Sequence, residues 1–283
     1  MFYCDSINLT GSTTDDADAT TTTLTLNSSA RRILFVGALH VDGTHTAAEG
    51  RNTNIFVTGD QVPTPRSLIP AGTYRNASFV GGDGLSGGHA TSIFYPVNWK
   101  ASGNGVLTIG ERGIGGTAAE LSSVFIWYSD GEGHPDLPYY SHGLRAPPAF
   151  IISADDTAIT GSTTETAMAA ITVPPNAKQC VGLAVASAAD GTIVAAEQTR
   201  NRVRWTAPAA SGVVFEPAQV WPVDSHDAGL QGLANASVDT ESFTVEFIPL
   251  QFTVVSNGTI TGNVTMADSV NGATQFRPYA AFV

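Results

Sequence analysis

The chain has 283 residues, 42% of them hydrophobic and only 13% charged, and its formal net charge at pH 7 is −12. This length and apolar content are enough for two domains of ordinary size, each with its own core, and they argue against an intrinsically disordered chain. The acidic balance argues against a nucleic-acid-binding protein, because neutralising phosphates requires a clustered basic surface.

Nearly every apolar segment is short, rich in Val, Ile, Phe and Thr, and bounded by Gly, Pro, Asn or Asp. This pattern is typical of strands and turns, and helical periodicity is almost absent. In the first half we predict strands at residues 21–26, 33–41, 54–58, 91–97, 105–109 and 122–128, with the longest irregular loop from about 63 to 88.

The first two of these strands differ in pattern. Residues 21–26 alternate between Thr and Leu at their end, as a half-exposed strand does, whereas residues 33–39 form a continuous apolar run, as a strand covered on both faces does. A sandwich of two sheets accommodates both kinds of strand.

A segment poor in regular structure follows. Residues 129–148 contain four prolines and three glycines, which predict a semi-extended linker. Tyr139 and Tyr140 leave an alternative open, in which this segment is pinned across a domain surface or a neighbouring subunit.

The second half is again rich in predicted strands, and one of them carries a basic stripe. In Arg200-Asn-Arg202-Val-Arg204-Trp205 a period of two places three guanidinium groups on one face of the strand. Two interpretations stay open: a solvated strand face, or a contact for an acidic protein or an anionic polysaccharide. The predicted strands are 167–173, 180–187, 202–206, 212–215, 219–223, 242–247, 250–255, 260–266 and 277–283.

Short segments of the first half return in the same order in the second half. Ordered matches of this kind indicate a tandem duplication. Two weaker matches follow, Tyr95-Pro-Val-Asn98 with Trp221-Pro-Val-Asp224 and Asn104-Gly-Val-Leu-Thr108 with Asn257-Gly-Thr-Ile-Thr261. The ordered matches are 9–14 with 159–164, 24–37 with 171–184, 42–44 with 190–192, and 47–49 with 195–197.

Together these patterns predict an all-β protein made of two tandem, duplicated, antiparallel β-sandwich domains of jelly-roll or immunoglobulin-like type. We place the first sandwich at residues 1–128, the linker at 129–148 and the second sandwich at 149–283.

Candidate catalytic and metal-binding patterns have simpler explanations. Gly84-Leu-Ser-Gly-Gly88 fits a nucleophile elbow, but a predicted strand rather than a helix follows it. His40, Asp42 and His45 could bind zinc, yet the second half keeps only the Asp-Gly-Thr of a hairpin turn. The carboxylates Asp15, Asp16 and Asp18 lack the spacing of a calcium loop. We therefore predict no enzyme, no cofactor and no metal.

The two cysteines, Cys4 and Cys180, hold non-equivalent places in the duplication. We expect both to be buried or partly buried and not to form a disulfide.

The first residues lack a basic region followed by an apolar run, so we expect no signal peptide. No segment approaches the ~20 apolar residues that a membrane-spanning helix needs. We expect a protein that is made in a host cytoplasm and has no membrane partner.

The plan of each half is a Thr-rich strand, a turn with Ala30-Arg31 or Ala177-Lys178, a long apolar strand, Asp-Gly-Thr, Asn-Gly-x-x-Thr and a final aromatic strand. It resembles the β-sandwich domains of tailed-bacteriophage virion proteins, including head decoration proteins, head spikes and minor tail proteins, and of their relatives in gene transfer agents. The resemblance implies a non-enzymatic structural protein of the virion that binds capsid or tail proteins and itself as a homo-oligomer.

Two other functions stay open. A carbohydrate-binding module or adhesin, such as a phage receptor-binding or minor tail protein, would bind host-surface polysaccharide through exposed aromatic residues. A double jelly-roll major capsid protein would instead tile a shell. The candidate interaction residues are Arg200, Arg202, Arg204, Tyr139 and Tyr140.

Overall fold

The computed structural model describes residues 1–10, 18, 21–41, 50–64, 66–75, 90–114, 121–131, 148–155, 157–160, 164–190, 197–206, 220–228, 248–266 and 273–283. We call residues 1–131 the N-half and residues 148–283 the C-half. Every regular element in these ranges is a strand, and no helix among them is long and apolar enough to cross a membrane. The all-β prediction is confirmed.

The strands of the N-half are β1 (Phe2–Thr10), β2 (Thr22–Thr25), β3 (Arg32–Val41), β4 (Gly50–Thr58), β5 (Leu68–Arg75), β6 (Ala90–Lys100), β7 (Val106–Ile114) and β8 (Leu121–Ser129). They form two antiparallel sheets with strand orders β1-β8-β3-β6 and β2-β7-β4-β5. The first strand thus lies beside the last, the second beside the seventh, the third beside the sixth and the fourth beside the fifth. This winding is that of a jelly roll.

The strands of the C-half are β9 (Phe150–Ser153), β10 (Thr157–Thr160), β11 (Thr166–Ala167), β12 (Ile171–Thr172), β13 (Gln179–Asp190), β14 (Glu197–Thr206), β15 (Val220–Ala228), β16 (Ile248–Thr253), β17 (Thr259–Met266) and β18 (Ala273–Phe282). One sheet has the order β10-β18-β13-β16 with β9 also beside β18, and the other has the order β11-β17-β14-β15 with β12 also beside β17.

The C-half repeats the jelly-roll winding of the N-half. If β9 and β10 together replace β1, and β11 and β12 together replace β2, the strand orders of the two halves are the same. The structure therefore confirms the two duplicated sandwiches and selects the jelly-roll form over the immunoglobulin-like one. The residue bounds that we assigned to the two domains stay a prediction.

Local irregularities recur at equivalent positions, as expected for a duplication. A β-bulge interrupts β3 between Ile33 and Phe35, and another interrupts β13 between Cys180 and Gly182. The turns between β6 and β7 and between β16 and β17 each contain an asparagine with positive φ, 61° at Asn104 and 60° at Asn257. Asparagine tolerates this left-handed conformation, so the Asn-Gly match found in the sequence is structural.

The other weak match joined strands that are not equivalent. Pro96 on β6 and Pro249 on β16 both pair with the residue that follows the bulge, so the equivalent of Tyr95-Pro96 is Ile248-Pro249. Trp221-Pro222 on β15 corresponds instead to Ile69-Pro70 on β5. Each half has two proline-bearing strands at sheet edges, where a missing N–H is tolerated, and the sequence match paired them crosswise.

Several strands were missed. The loop expected at about 63–88 contains β5, whose proline and glycine lie on an edge strand opposite a bulge between Thr53 and Asn54. Strand β1 lies in a polar segment for which we predicted no strand, and β9 and β10 are short pieces of a broken strand. The strands predicted at 212–215 and 242–247, and the greater part of the predicted linker, lie outside the described residues.

Candidate interaction surfaces

The two halves pack against each other through one face of the C-half. Along β18, Phe276, Ala280 and Phe282 belong to the core of the C-half, whereas Tyr279 and Ala281 belong to the hydrophobic cluster of the N-half. This alternation follows from the two-residue period of a strand. The C-half residues in the N-half cluster are Ile151, Val181, Ala184, Tyr279 and Ala281, all buried. The outer face of the β13–β18 sheet is therefore part of a continuous apolar interface.

Three hydrogen bonds fix the relative position of the halves. The Tyr279 hydroxyl donates to Asn54 Oδ1 over 2.6 Å, and both side chains are completely buried. The Ile151 N–H donates to the Ser67 hydroxyl over 3.0 Å, and the Trp99 indole N–H donates to the Ala149 carbonyl over 2.9 Å. Buried bonds of this kind oblige the two surfaces to meet in one register, because a shift would leave a donor or acceptor unpaired.

The pKa of Tyr95 shows that side chains in this region are shielded from water. Complete burial, and to a lesser extent the neighbouring Tyr279, raise the pKa of Tyr95 well above its ordinary value. Tyr95 thus remains neutral at physiological pH, and the interface is packed through aromatic rings whose polar ends are kept from water.

The equivalent sheet face of the N-half has a different surface. The pairings of β1, β3 and β8 place Cys4, Phe35, Phe125 and Trp127 at the positions of Ile151, Gly182, Tyr279 and Ala281. We call Phe2, Cys4, Phe35, Phe125 and Trp127 the aromatic face.

The aromatic face is exposed where its C-half counterpart is buried. Phe2 is 66% exposed and Trp127 is 41% exposed, whereas Ala281 has no exposed surface. Phe35 and Trp127 meet edge to face with ring centroids 6.4 Å apart, so the two rings support each other's orientation. Exposed aromatic side chains are enriched at protein interfaces, so this face is a candidate interaction surface. This surface was not predicted from the sequence, because Trp127 follows a pattern that core strands share.

The basic strand predicted from the sequence is β14. Val203 and Trp205 are buried and Arg204 is partly exposed, so the expected alternation holds at these three residues. The Arg204 guanidinium binds the Glu165 carboxylate in a bidentate pair, with Nε donating to Oε1 over 2.6 Å. Because both side chains are about a third exposed, this pair contributes little to stability, but it holds the arginine in a fixed direction.

The other predicted interaction residues are less completely placed. Arg200 and Arg202 lie on β14 opposite Ser225 and Pro222 of β15. Tyr139 and Tyr140 lie outside the described residues, and the role assigned to them stays a prediction.

Strand β14 occupies the place that β4 holds in the N-half. Both strands carry a bulge against their edge neighbour, and counting from it Arg202 corresponds to Asn54 and Arg204 to Phe56. Asn54 lies on the surface that receives the C-half. The register positions of Arg202 and Arg204 are therefore equivalent to one side of the interface inside the chain, and the aromatic face is equivalent to the other.

Asp18 of the predicted carboxylate cluster forms ion pairs with two arginines. The Arg66 guanidinium donates to both oxygens of Asp18 over 2.7 and 2.9 Å, and this hydrogen bonding, with the charge of Arg112, lowers the pKa of Asp18. Two guanidinium groups disfavour a cation at Asp18. In the ranges that the structure covers, no group of three or more His, Cys, Asp or Glu residues could hold a metal ion.

Neither cysteine forms a disulfide, as expected. Cys180 is buried, and this raises its pKa to about 12. Cys4 is exposed, contrary to our expectation, because its side chain lies on the outer face of β1.

A small cavity lies beside the turn between β6 and β7. It measures about 30 Å³ and is lined in part by Leu26, Asp60, Lys100 and Val106. This volume accommodates a few water molecules at most, so it is too small for a sugar ring.

No family model matches the sequence, and no curated protein matches it. Solved structures show only distant similarity. The chain resembles PNGF-II with a TM-score of 0.41 at 11% identity, over 99% of this chain and 65% of that one. It resembles Broad Bean Stain Virus with a TM-score of 0.39 at 7% identity, over 98% of this chain and 88% of that one. For PNGase F, a glycosylasparaginase from Flavobacterium meningosepticum, the TM-score is 0.31 at 13% identity, over 98% of this chain and 96% of that one.

Proposed function

We propose that the protein is a non-enzymatic structural protein of a virion, in the form of a capsid decoration protein or head-spike component. It would bind capsid or tail proteins, and further copies of itself, through the surfaces and loops of its jelly rolls. The observation that carries this proposal is the aromatic face. In the C-half the equivalent sheet face is buried against the N-half, whereas in the N-half this face has Phe2 and Trp127 exposed.

The energetics favour a role in assembly. Burying an exposed Trp or Phe side chain stabilises a contact by roughly 1.5–3 kcal/mol per residue, so a face with several aromatic side chains can stabilise a specific interface. The acidic net charge of −12 would limit binding to a packaged genome.

The test begins with the mass of the purified protein by light scattering and continues with mixing and co-sedimentation with virus-like particles. We expect a defined oligomer that attaches to particles at a fixed stoichiometry. Trp127→Asp should weaken attachment or oligomerisation, and Val106→Asp, at a 53%-exposed valine away from the aromatic face, serves as the matched control. A protein that ignores particles and stays monomeric at all concentrations would contradict the proposal.

A double jelly-roll major capsid protein is the second candidate. The matching strand orders of the two halves favour it, because two similar jelly rolls in one chain can occupy similar positions in a shell. Closed particles formed by the purified protein alone, seen by electron microscopy, would favour this candidate over decoration.

A carbohydrate-binding module or adhesin is favoured by one side chain. Trp99 and Trp205 are buried, but Trp127 is exposed and could stack on a sugar. Binding to a glycan array that is lost in Trp127→Ala, with folding intact and without any effect on oligomeric state, would support this function.

A further inference from the structure

Strand β1 differs from every other described strand at a sheet edge. The edge strands β5, β6, β15 and β16 each contain a proline, which removes a backbone donor. The remaining edges are formed by β2, which has four residues, and by the broken strands β9 with β10 and β11 with β12, whose pieces have two to four residues. Short strands and prolines both protect an edge from pairing with another chain. Strand β1 has neither protection, because its nine residues pair with β8 without interruption and include no proline.

The backbone of β1 presents hydrogen-bonding groups along this open edge. The Met1 carbonyl accepts a hydrogen bond from the Asp130 N–H over 3.2 Å, in the register that places Phe2 opposite Ser129. Hydrogen-bonded and non-hydrogen-bonded pairs alternate in an antiparallel ladder, so the odd-numbered residues of β1 exchange hydrogen bonds with β8. The even-numbered residues direct their N–H and C=O groups away from β8, and no strand of the described residues pairs with them there. Their side chains are exposed at Phe2, Cys4, Ser6 and Asn8.

We propose that β1 pairs antiparallel with β1 of a second copy, so that the sheet β1-β8-β3-β6 continues across a two-fold axis into the same sheet of that copy. This inference rests on the proposed function, because it names the strand through which copies of the protein bind each other. An open edge is complementary to an identical edge that runs antiparallel, since each N–H then meets a C=O.

A second copy fits this edge because its own β1 is the matching strand. Among the described edge strands of the chain, only β1 combines this length with a full set of backbone donors, so an exchange between copies joins β1 to β1. A contact of one surface with itself closes at two chains, which is the commonest symmetry of soluble oligomers. The strand also carries only one charged side chain, Asp5, so the two copies bring little like charge together.

The sequence of β1 favours the register in which the two strands overlap completely. Ser6, the middle residue, then lies on the two-fold axis opposite Ser6 of the second copy, and Asp5 lies opposite Ile7. Asp5 stays on the inner side of the sheet, where its Oδ2 accepts a hydrogen bond from the Tyr128 hydroxyl over 2.6 Å. A register centred on Asp5 would instead place two carboxylates directly opposite each other, which is unfavourable.

The first variant removes a donor from the open edge alone. Ser6→Pro deletes the N–H that points away from β8 and leaves the hydrogen bonds between β1 and β8 in place. Sedimentation velocity on the full chain should show a species of two chains for the wild type, and Ser6→Pro should raise the dissociation constant roughly tenfold or more, toward the monomer of 29.4 kDa. The matched control is Ser6→Val, which keeps the N–H and should dimerise like the wild type.

A pair of charge variants tests the two-fold register and does not depend on a proline. Ser6→Lys and Ser6→Asp each place like charges opposite each other on the axis, so each variant alone should dimerise more weakly than the wild type. An equimolar mixture should recover the dimer, because Lys then faces Asp, and native mass spectrometry should find one copy of each variant in it. Val106→Lys and Val106→Asp, at an exposed residue of the opposite sheet, should dimerise normally both alone and mixed.

Hydrogen exchange gives a readout that needs no substitution. The amides of Phe2–Thr10 should exchange more slowly at protein concentrations above the dissociation constant than below it, because the edge N–H groups become hydrogen-bonded. The short edge strand Thr22–Thr25 is the internal control, and its exchange should not depend on concentration.

The outcomes separate this inference from the proposed function. A wild type that stays monomeric, a Ser6→Pro variant that dimerises as tightly as Ser6→Val, or charge variants that do not recover on mixing would each overturn the pairing of β1 with β1. If the wild type is monomeric and Ser6→Pro loses attachment to virus-like particles, the edge is occupied by a strand of a particle protein, so the second copy is wrong and the proposed function is supported. A dimer that passes both variant tests but binds no particle would count against the virion role and leave the β1 contact standing.

Discussion

At the scale of single residues, the pair Tyr279 and Asn54 determines how the two jelly rolls meet. Both side chains are fully buried, and their hydrogen bond links positions separated by 225 residues in sequence. Because water cannot reach this site, each of the two side chains is the hydrogen-bond partner that the other requires.

Tyr279→Phe removes the hydroxyl and leaves Asn54 Oδ1 buried without its donor. We expect a loss of about 1–3 kcal/mol in the free energy of unfolding, measured by urea denaturation. The matched control is Tyr3→Phe, whose hydroxyl bonds to Ser29 in a partly exposed position and can be replaced by water. Equal losses in the two variants would contradict the role of burial, and the double variant Tyr279→Phe/Asn54→Leu should recover part of the loss.

Cys180 predicts a decline of stability at alkaline pH. Burial raises the pKa of its thiol from 9.0 to about 12, so between these values the unfolded chain loses the proton and the folded chain retains it. The stabilisation is complete below pH 9 and is lost as the pH rises toward 12, by at most about 4 kcal/mol. Unfolding experiments from pH 8 to 11 should give a shallower decline for Cys180→Ala than for the wild type. Cys4→Ala is the control, and an unchanged slope in Cys180→Ala would contradict this account.

At the scale of elements, the turn between β6 and β7 depends on a close approach of two backbones. A Cβ atom on Gly103 would lie 1.8 Å from the Ser28 carbonyl oxygen and 2.6 Å from its carbon. These are main-chain atoms next to β2 and cannot move aside as a flexible side chain can.

We therefore expect Gly103→Ala to cost several kcal/mol, roughly 2–4, in the free energy of unfolding. The control is Gly131→Ala, because a Cβ there would meet no atom of the described residues within 4 Å. Thermal unfolding followed by circular dichroism would show a clear fall in Tm for Gly103→Ala and little change for Gly131→Ala. Similar Tm values for the two variants would show that the turn relaxes and that the close approach is unimportant.

The strands of this protein differ in how far the sequence predicts them. The continuous apolar run of β3 and the Asn-Gly turns carry local signals, and the β3 strand was predicted correctly. Its coverage on both faces was not, because Phe35 on the outer side is only partly buried. Strand β5 was taken for a loop because its proline and glycine suit both a loop and a bulged edge strand. Only the pairing with β4, which is not a local property, distinguishes the two.

The aromatic face shows why surfaces were harder to predict than strands. The final strands β8 and β18 are both apolar on both faces, and one face of each belongs to a sandwich core. The other face is buried at Tyr279 and Ala281 but exposed at Trp127. This difference depends on which sheet meets the other half, which no periodicity encodes. The basic stripe stays a prediction, and the equivalence of its strand to β4 required the register of both sheets.

At the scale of the whole molecule, the N-half and C-half share one apolar interface, so their stabilities are coupled. Ile151, Ala184 and Ala281 of the C-half lie in the hydrophobic cluster of the N-half. If either half unfolds, the other loses this contact and exposes apolar surface to water. The intact chain should therefore unfold in a single cooperative transition.

Ala184→Glu tests this coupling. Ala184 is 2% exposed on the outer face of β13, and a carboxylate there would be buried without a partner, which forces the two halves apart. Differential scanning calorimetry should show one transition for the wild type and two for Ala184→Glu, because each jelly roll keeps its own core. Ser6→Glu places the same charge on the exposed outer face of β1, in the equivalent sheet of the N-half, and should leave a single transition. Two transitions in the wild type, or one unshifted transition in Ala184→Glu, would mean that the interface does not couple the halves.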